Sequence, residues 1–125
     1  MIFNPRRDNF PINDSNAAYQ QIEWEFNALE KADIFSMYFS GGVSDQPICM
    51  YELGRNIVRM QMRYPCDWQK RIIISVEDDY KRKQDVLIQT DLACQNALSV
   101  NTQISNDVLK DYHASYIIKA YRLFN

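Results

Sequence analysis

The run Ile72-Ile73-Ile74, inside residues 71–76, is the feature that most limits how this chain folds. An unbroken apolar run of strand length suits a strand buried on both faces, as in the centre of a parallel sheet. Helical periodicity alternates with strands around it. Asp14 or Ser15 caps a predicted helix running to about Lys31, with Ile22, Phe26 and Leu29 at i, i+4 and i+7 as its buried stripe. Residues 34–40 are apolar and aromatic and read as a buried strand that stops at Gly41-Gly42. Pro47 suits the first turn of the next helix, which carries Leu53, Ile57 and Met60 and ends near Arg63, before Pro65. Residues 78–83 read as a charged, solvated loop, 85–93 as a helix, 97–100 as a short strand and 106–123 as a closing helix with Val108, Tyr112, Tyr116, Ile117 and Tyr121 apolar. At the start, Ile2-Phe3 reads as the end of a strand stopped by Asn4-Pro5.

Strands alternating with helices predict an α/β fold, a parallel sheet with helices on both faces. Ligands of such sheets bind beyond the carboxyl ends of the strands. That edge holds three loops, over residues 4–15, 41–46 and 77–83. The chain has 125 residues, enough for one domain, 1–125, with a real core. Hydrophobic residues make up 46% and charged residues 24%, a globular rather than a disordered balance. A formal net charge of −2 excludes a surface built to coat nucleic acid. The basic clusters Arg6-Arg7 and Lys81-Arg82-Lys83 are each flanked by acids.

No stretch approaches the ~20 apolar residues that span a bilayer. The N-terminus lacks the apolar segment of a signal peptide, so no membrane partner is expected and the cytoplasm is the expected location. Cys49, Cys66 and Cys94 form no CxxC pair and read as small buried hydrophobes in a reducing compartment. A single histidine, His113, set in a helix without nearby cysteines, gives neither a zinc site nor a Ser-His-Asp triad. No metal and no cofactor is expected.

Two carboxylates stand in informative places. Glu25 lies three residues after Ile22 and four before Leu29, close to the predicted buried stripe. A buried carboxylate costs several kcal/mol unless it is paired, so the plain alternative is a stripe edge reaching solvent. Glu52 follows the glycine loop in the first or second turn of its helix. Simple stabilisation by the helix dipole is one explanation. A nucleophile at the ligand-binding edge of the sheet is the other.

The string Phe3-Asn4-Pro5-Arg6-Arg7-Asp8, followed by Gln21-Ile22-Glu23-Trp24-Glu25 and by Ala28-Leu29-Glu30-Lys31-Ala32-Asp33-Ile34, resembles the nucleoside 2-deoxyribosyltransferase-like family. Tyr51-Glu52-Leu53-Gly54-Arg55 is similar to that family's signature helix start and to the related deoxynucleoside 5′-monophosphate N-glycosidases. Asp79-Tyr80-Lys81-Arg82 with Asp85-Val86 resembles its next loop and helix, so the likeness runs from residue 2 to about 93. The resemblance implies a doubly wound, flavodoxin- or Rossmann-like parallel sheet and an enzyme of deoxynucleoside salvage that cleaves or exchanges the N-glycosidic bond. Glu52 aligns with the nucleophile that would hold the sugar covalently, and Glu25 with an acidic residue facing the reacting nucleoside. Asn4, Arg6, Asn27 and Asp85 align with substrate-binding positions, Asp85 with one that reaches a neighbouring subunit's sugar. The implied partners are a deoxynucleoside or deoxynucleotide, a free nucleobase and further copies of the chain.

The chain departs from the family at its start, where the first βα unit is missing and a sheet edge is left to be covered. It departs again at Tyr64-Pro65-Cys66-Asp67-Trp68, which looks inserted, and in the length of the closing helix. Those departures support a second reading, an inactive descendant that serves as a nucleoside- or protein-binding module.

Overall fold

The computed structural model describes residues 15–94 and 105–124. The expected strands at Ile2-Phe3 and at 97–100 lie outside the described residues. The chain divides into two compact units, Met1–Asp33 and Ile34–Asn125.

In the first unit, helix α1 spans Ser15–Lys31. It ends where the Ala32 amide donates to the Leu29 carbonyl at 3.2 Å. The buried side is not the one that periodicity selects. Ala17 and Ala28 are buried, whereas Ile22 and Phe26 are 64% and 46% exposed. Ala17, Gln21, Glu25 and Ala28 form a line about a third of a turn away from Ile22, Phe26 and Leu29. Small alanines carry little hydropathy signal, yet they are the side chains that let a helix pack closely.

In the second unit, β1 (Phe35–Phe39) and β2 (Ile72–Val76) pair in parallel, with Phe35 opposite Ile72 and Phe39 opposite Val76. They form a two-stranded sheet among the described residues. Parallel neighbours require a crossover. Here it is helix α2 (Pro47–Arg63) followed by a 3-10 turn, Trp68–Arg71. Pro47 stands at the start of α2 as predicted, and Leu53, Ile57 and Met60 are buried. β2 is buried at all five positions. Successive side chains point to opposite faces, so the sheet is covered on both sides there. α2 packs on β1, while α3 (Lys83–Ala93) and α4 (Asn106–Phe124) pack on β2. The protein is mixed α/β with a parallel sheet and helices.

β1 differs from its predicted continuous burial. Phe35 and Phe39 are buried, but Ser36 is exposed and Met37 and Tyr38 are half-buried. Among the described residues β1 pairs with β2 alone.

α4 turns a polar residue inward. Leu109, His113 and Ala120 are buried, while the predicted apolar positions Val108, Tyr112, Tyr116 and Tyr121 are 43–54% exposed and Ile117 is intermediate. The reason lies on the sheet. His113 Nε2 is 2.7 Å from Ser36 Oγ and its Nδ1 is 2.7 Å from Ser75 Oγ. Its ring also meets the Tyr38 ring edge-on at 5.4 Å. By register and alternation, Ser36, Tyr38 and Ser75 share one face of the sheet. A neutral imidazole donates from one nitrogen and accepts at the other, and two hydroxyls complement it. Burial lowers the His113 pKa, in keeping with a neutral ring.

The 64–68 stretch forms a clamp. The Arg71 guanidinium lies 3.7 Å from the Tyr64 ring and 3.7 Å from the Phe124 ring. Its Nε and Nη2 donate to the two Asp67 carboxylate oxygens at 2.9 and 3.2 Å. Those hydrogen bonds, above all, hold the surface carboxyl of Asp67 below its usual range. Nearby, Gln61 and Gln69 side chains donate to the Ala93 and Cys94 carbonyls at 3.2 and 3.1 Å, fastening the end of α3. Cys94 alone among the three cysteines meets the expectation of full burial, with its thiol pushed up to about 11 by burial and then by Asp91. Cys49 is intermediate and Cys66 exposed, because Cys66 sits in the clamp's surface turn.

Two predictions follow from these contacts. Arg71→Ala removes both ring contacts and should lower unfolding stability by roughly 2 kcal/mol in urea melts, with Arg71→Lys recovering little because an ammonium cannot stack or fork. As for pH, the unfolded chain takes up a proton near the ordinary histidine pKa of about 6.5, before the folded chain does. Stability should therefore fall as pH drops from 7 toward 5, and this slope belongs to the chain's single histidine. An unchanged slope in His113→Gln would refute that assignment.

Candidate functional site

Two loops leave the carboxyl ends of β1 and β2, and one buried carboxylate joins them. Glu77 directly follows β2 and is 6% exposed. Its Oε1 accepts the Gly41 amide at 2.8 Å and its Oε2 accepts the Tyr38 hydroxyl at 2.7 Å. Its own amide donates to the Phe39 carbonyl at 2.9 Å, extending the sheet ladder by one bond. Burial pushes the Glu77 pKa up. The bonds from Gly41 and Tyr38, with the charge of Lys110, outweigh it and hold the carboxyl below its usual range. Tyr38 responds in the opposite sense, its phenol pushed well up by burial and then by the Glu77 carboxylate.

Three residues on, Tyr80 is also buried, although the surrounding Asp78–Lys83 stretch was expected to be a solvated loop. Its ring lies 5.1 Å from that of Phe39, and its hydroxyl donates to the Asp45 carbonyl. The Tyr80 amide donates to the Glu77 carbonyl at 3.1 Å, so Glu77 and Tyr80 belong to one turn. Asp78, Asp79, Lys81 and Arg82 are exposed as expected, and the half-buried Lys83 pairs with Asp78. Gly41 matters for space. The Asp79 carboxylate sits 2.1 Å from where a Cβ would be, so any larger residue at 41 displaces Asp79.

The Gly41–Gln46 loop delivers the chain into α2. Gly42 has φ 129°, a value that L side chains rarely adopt. Gln46 takes a left-handed conformation, φ 48°, and its side-chain amide donates to the Ser40 carbonyl at 2.8 Å. This bond helps hold a backbone geometry that a non-glycine residue seldom takes. Glu52 lies in the second turn of α2 and is half-buried. The first turn of α2 contains no acid. Dipole stabilisation falls off within the first turn, so it does not account for a carboxylate at this position. The Cys49 thiol, one turn earlier, is pushed up by burial and then by the Glu52 charge. Tyr80 is raised first by burial, then by Asp45 and Cys49, and in smaller part by Asp85. Tyr80 is thus within electrostatic reach of Asp45, Cys49 and Asp85, and Cys49 within that of Glu52.

The other residues singled out from sequence stand as follows. Asp85 is in the first turn of α3, exposed, with Arg82 Nη1 3.4 Å from its Oδ2. Glu25 is half-buried on the least exposed line of α1 and accepts from Gln21 Nε2 at 2.8 Å. Asn27 is exposed on the same helix. Asn4 and Arg6 lie outside the described residues. The sequence reading assigns no role to Glu77, Tyr38 or Tyr80, although Tyr80 falls in the Asp79–Arg82 string that resembles the family. The available signal was weak, an acid directly after an all-apolar strand and a tyrosine inside a charge run. No group of three or more potential metal-binding side chains occurs among the described residues. Nor is any described helix long and apolar enough to cross a membrane.

Residues 1–66 match the model of a family described as nucleoside 2-deoxyribosyltransferase like. The chain belongs to this family. The match covers just over half of the sequence and includes the glycine loop, Glu25 and Glu52, but ends before the Glu77–Tyr80 turn and Asp85. No curated protein and no solved structure gives a significant match. Within the nucleoside 2-deoxyribosyltransferase-like chain, the matched residues therefore carry the loop and the start of α2. The turn that holds the loop comes from the unmatched half.

Proposed function

We propose that this family member cleaves or exchanges the N-glycosidic bond of 2′-deoxynucleosides through Glu52. The observation that carries the reading is a half-buried carboxylate in the second turn of α2, beside the carboxyl edge of a parallel sheet, in a chain of this family. That edge is where α/β sheets take ligands. A Glu52 oxygen attacks C1′, the C1′–N bond breaks, and its electron pair leaves with the base, which gains a proton. A nitrogen of a second base, or water, then attacks C1′ and gives up a proton as the bond from C1′ to the Glu52 oxygen breaks and frees the carboxylate, with net retention at the sugar. The family pattern gives Glu25 the part of proton donor to, or holder of, the leaving base. It gives Asn4, Arg6, Asn27 and Asp85 parts in substrate binding. No cofactor is needed for this chemistry, and the work belongs to nucleotide salvage.

Incubating the protein with a deoxynucleoside and a different free base tests the reading by the appearance of the exchanged nucleoside, or of free deoxyribose if water is the acceptor. Glu52→Ala and Glu52→Gln should abolish both products while keeping the melting temperature within a few degrees, and a sugar adduct on Glu52 should be trappable by mass spectrometry. Full activity in purified Glu52→Ala would rule the mechanism out. Saturable deoxynucleoside binding without any turnover would instead identify the chain as a binding module.

The same reading includes an oligomer, because family sites borrow a residue across an interface at the position that Asp85 occupies. The exposed aromatic side of α4 supports it. Val108, Tyr112, Tyr116 and Leu123 are all exposed and fall on one flank of the helix. Tyrosine is enriched in protein interfaces. Light scattering at micromolar concentration should give at least a dimer, and Tyr112→Glu with Tyr116→Glu should shift it to monomer with loss of activity. A monomeric wild-type protein would end the oligomer reading.

A further inference from the structure

Glu52 reaches its place only through the loop before it, and that loop is gripped at both ends by a single turn. At its start, Glu77 Oε1 holds the Gly41 amide at 2.8 Å. At its finish, the Tyr80 hydroxyl holds the carbonyl of Asp45, two residues before α2 begins. The two grips are tied together by the 3.1 Å bond between the Tyr80 amide and the Glu77 carbonyl. The turn is itself anchored. Tyr38 occupies the second carboxylate oxygen of Glu77, and Phe39 supports the Tyr80 ring. Both oxygens of Glu77 are therefore engaged by the protein, which leaves neither aimed at a substrate. A charge is buried here, at a cost of several kcal/mol unless hydrogen-bonded, and its bonds go to the Gly41 backbone and the Tyr38 hydroxyl.

We propose that Glu77 and Tyr80 are positioning residues for Glu52, setting the loop that fixes the start of α2 and hence the reach of its second-turn carboxylate. This rests on the reading of Glu52 as nucleophile. A nucleophile misplaced by about 1 Å costs on the order of 100-fold in rate, so a loop held at two points has a direct catalytic consequence. The turn needs no contact with the reacting atoms to exert it.

The test is the base-exchange assay with kcat and KM resolved, on the full chain. Tyr80→Phe keeps the ring against Phe39 and removes only the bond to the Asp45 carbonyl. It should lower kcat about tenfold with KM within about twofold. Amide hydrogen exchange over residues 41–46 should accelerate in parallel. Glu77→Gln can still accept from Gly41 through its carbonyl oxygen and donate to Tyr38 through its amide. It should keep kcat within about threefold and leave the pH profile unchanged, whereas Glu77→Ala should lose tenfold or more. If Glu77 were instead a proton-transferring group, Gln would lose as much as Ala and the acid limb of the profile would vanish, which would overturn the positioning role. Should Glu77→Ala fail to fold, Tyr80→Phe and Glu77→Gln decide the question between them. Unaltered kcat and unaltered loop exchange in Tyr80→Phe, alongside an inactive Glu52→Ala, would overturn the positioning proposal alone. An inactive wild type, or a fully active Glu52→Ala, would overturn the Glu52 reading and this proposal with it.

Discussion

Complete burial of β2 sets the terms for the second unit. All five residues of Ile72–Val76 are shielded from water. Every backbone group in such a strand needs a hydrogen-bonding partner, and each face needs cover. β1 supplies a parallel ladder along one edge, and α3 and α4 pack on the strand. Ser75 is the one hydroxyl in the strand, and a buried hydroxyl without a partner costs about 1–3 kcal/mol. His113 removes that cost for Ser75 and engages Ser36 on the neighbouring strand with its other nitrogen. The rotation of α4 follows from this pairing. With His113 turned inward beside Leu109 and Ala120, Tyr112 and Tyr116 are carried outward.

The same accounting governs the carboxyl end of the sheet. A chain leaving a buried strand must find bonds for its first free backbone groups before it reaches solvent. Glu77 answers by continuing the ladder to Phe39 with its own amide and by turning its side chain back to the Gly41 amide. Burial alone favours a protonated carboxyl, but hydrogen bonds that the ionised form accepts reverse the balance. The result is a fixed negative charge that defines the shape of the edge rather than a free group within it. Glu52 is then supported indirectly, by a loop whose ends are bound to one turn.

Much of this architecture was legible in the residues. The isoleucine run announced a strand buried on both sides, and Pro47 with Leu53, Ile57 and Met60 announced α2 and its inner face. Both signals are local and strong: an unbroken apolar run, and a proline suited to the first helical turn. The glycine loop was legible from Gly41-Gly42 at the end of an apolar run, whereas Glu52 drew notice because the string around it resembles the family to which the chain belongs. Burial in α1 and α4 was misread where hydropathy and size disagreed. Ile22 and the tyrosine rings offer far more apolar area than alanine, yet Ala17, Ala28, His113 and Ala120 are what the helices bury.

What the sequence by itself determined is the kind and order of the described strands and α-helices of the second unit, because helix and strand periods and proline and glycine constraints act over a few neighbouring residues. The tertiary structure alone decided which polar groups would be brought inside. Ser36 and Ser75 meet His113 across 77 and 38 residues, and Glu77 meets Gly41 and Tyr38 across 36 and 39. No local rule links residues so far apart. The partner that makes a buried hydroxyl, imidazole or carboxylate tolerable exists only once two strands lie side by side with a helix across them.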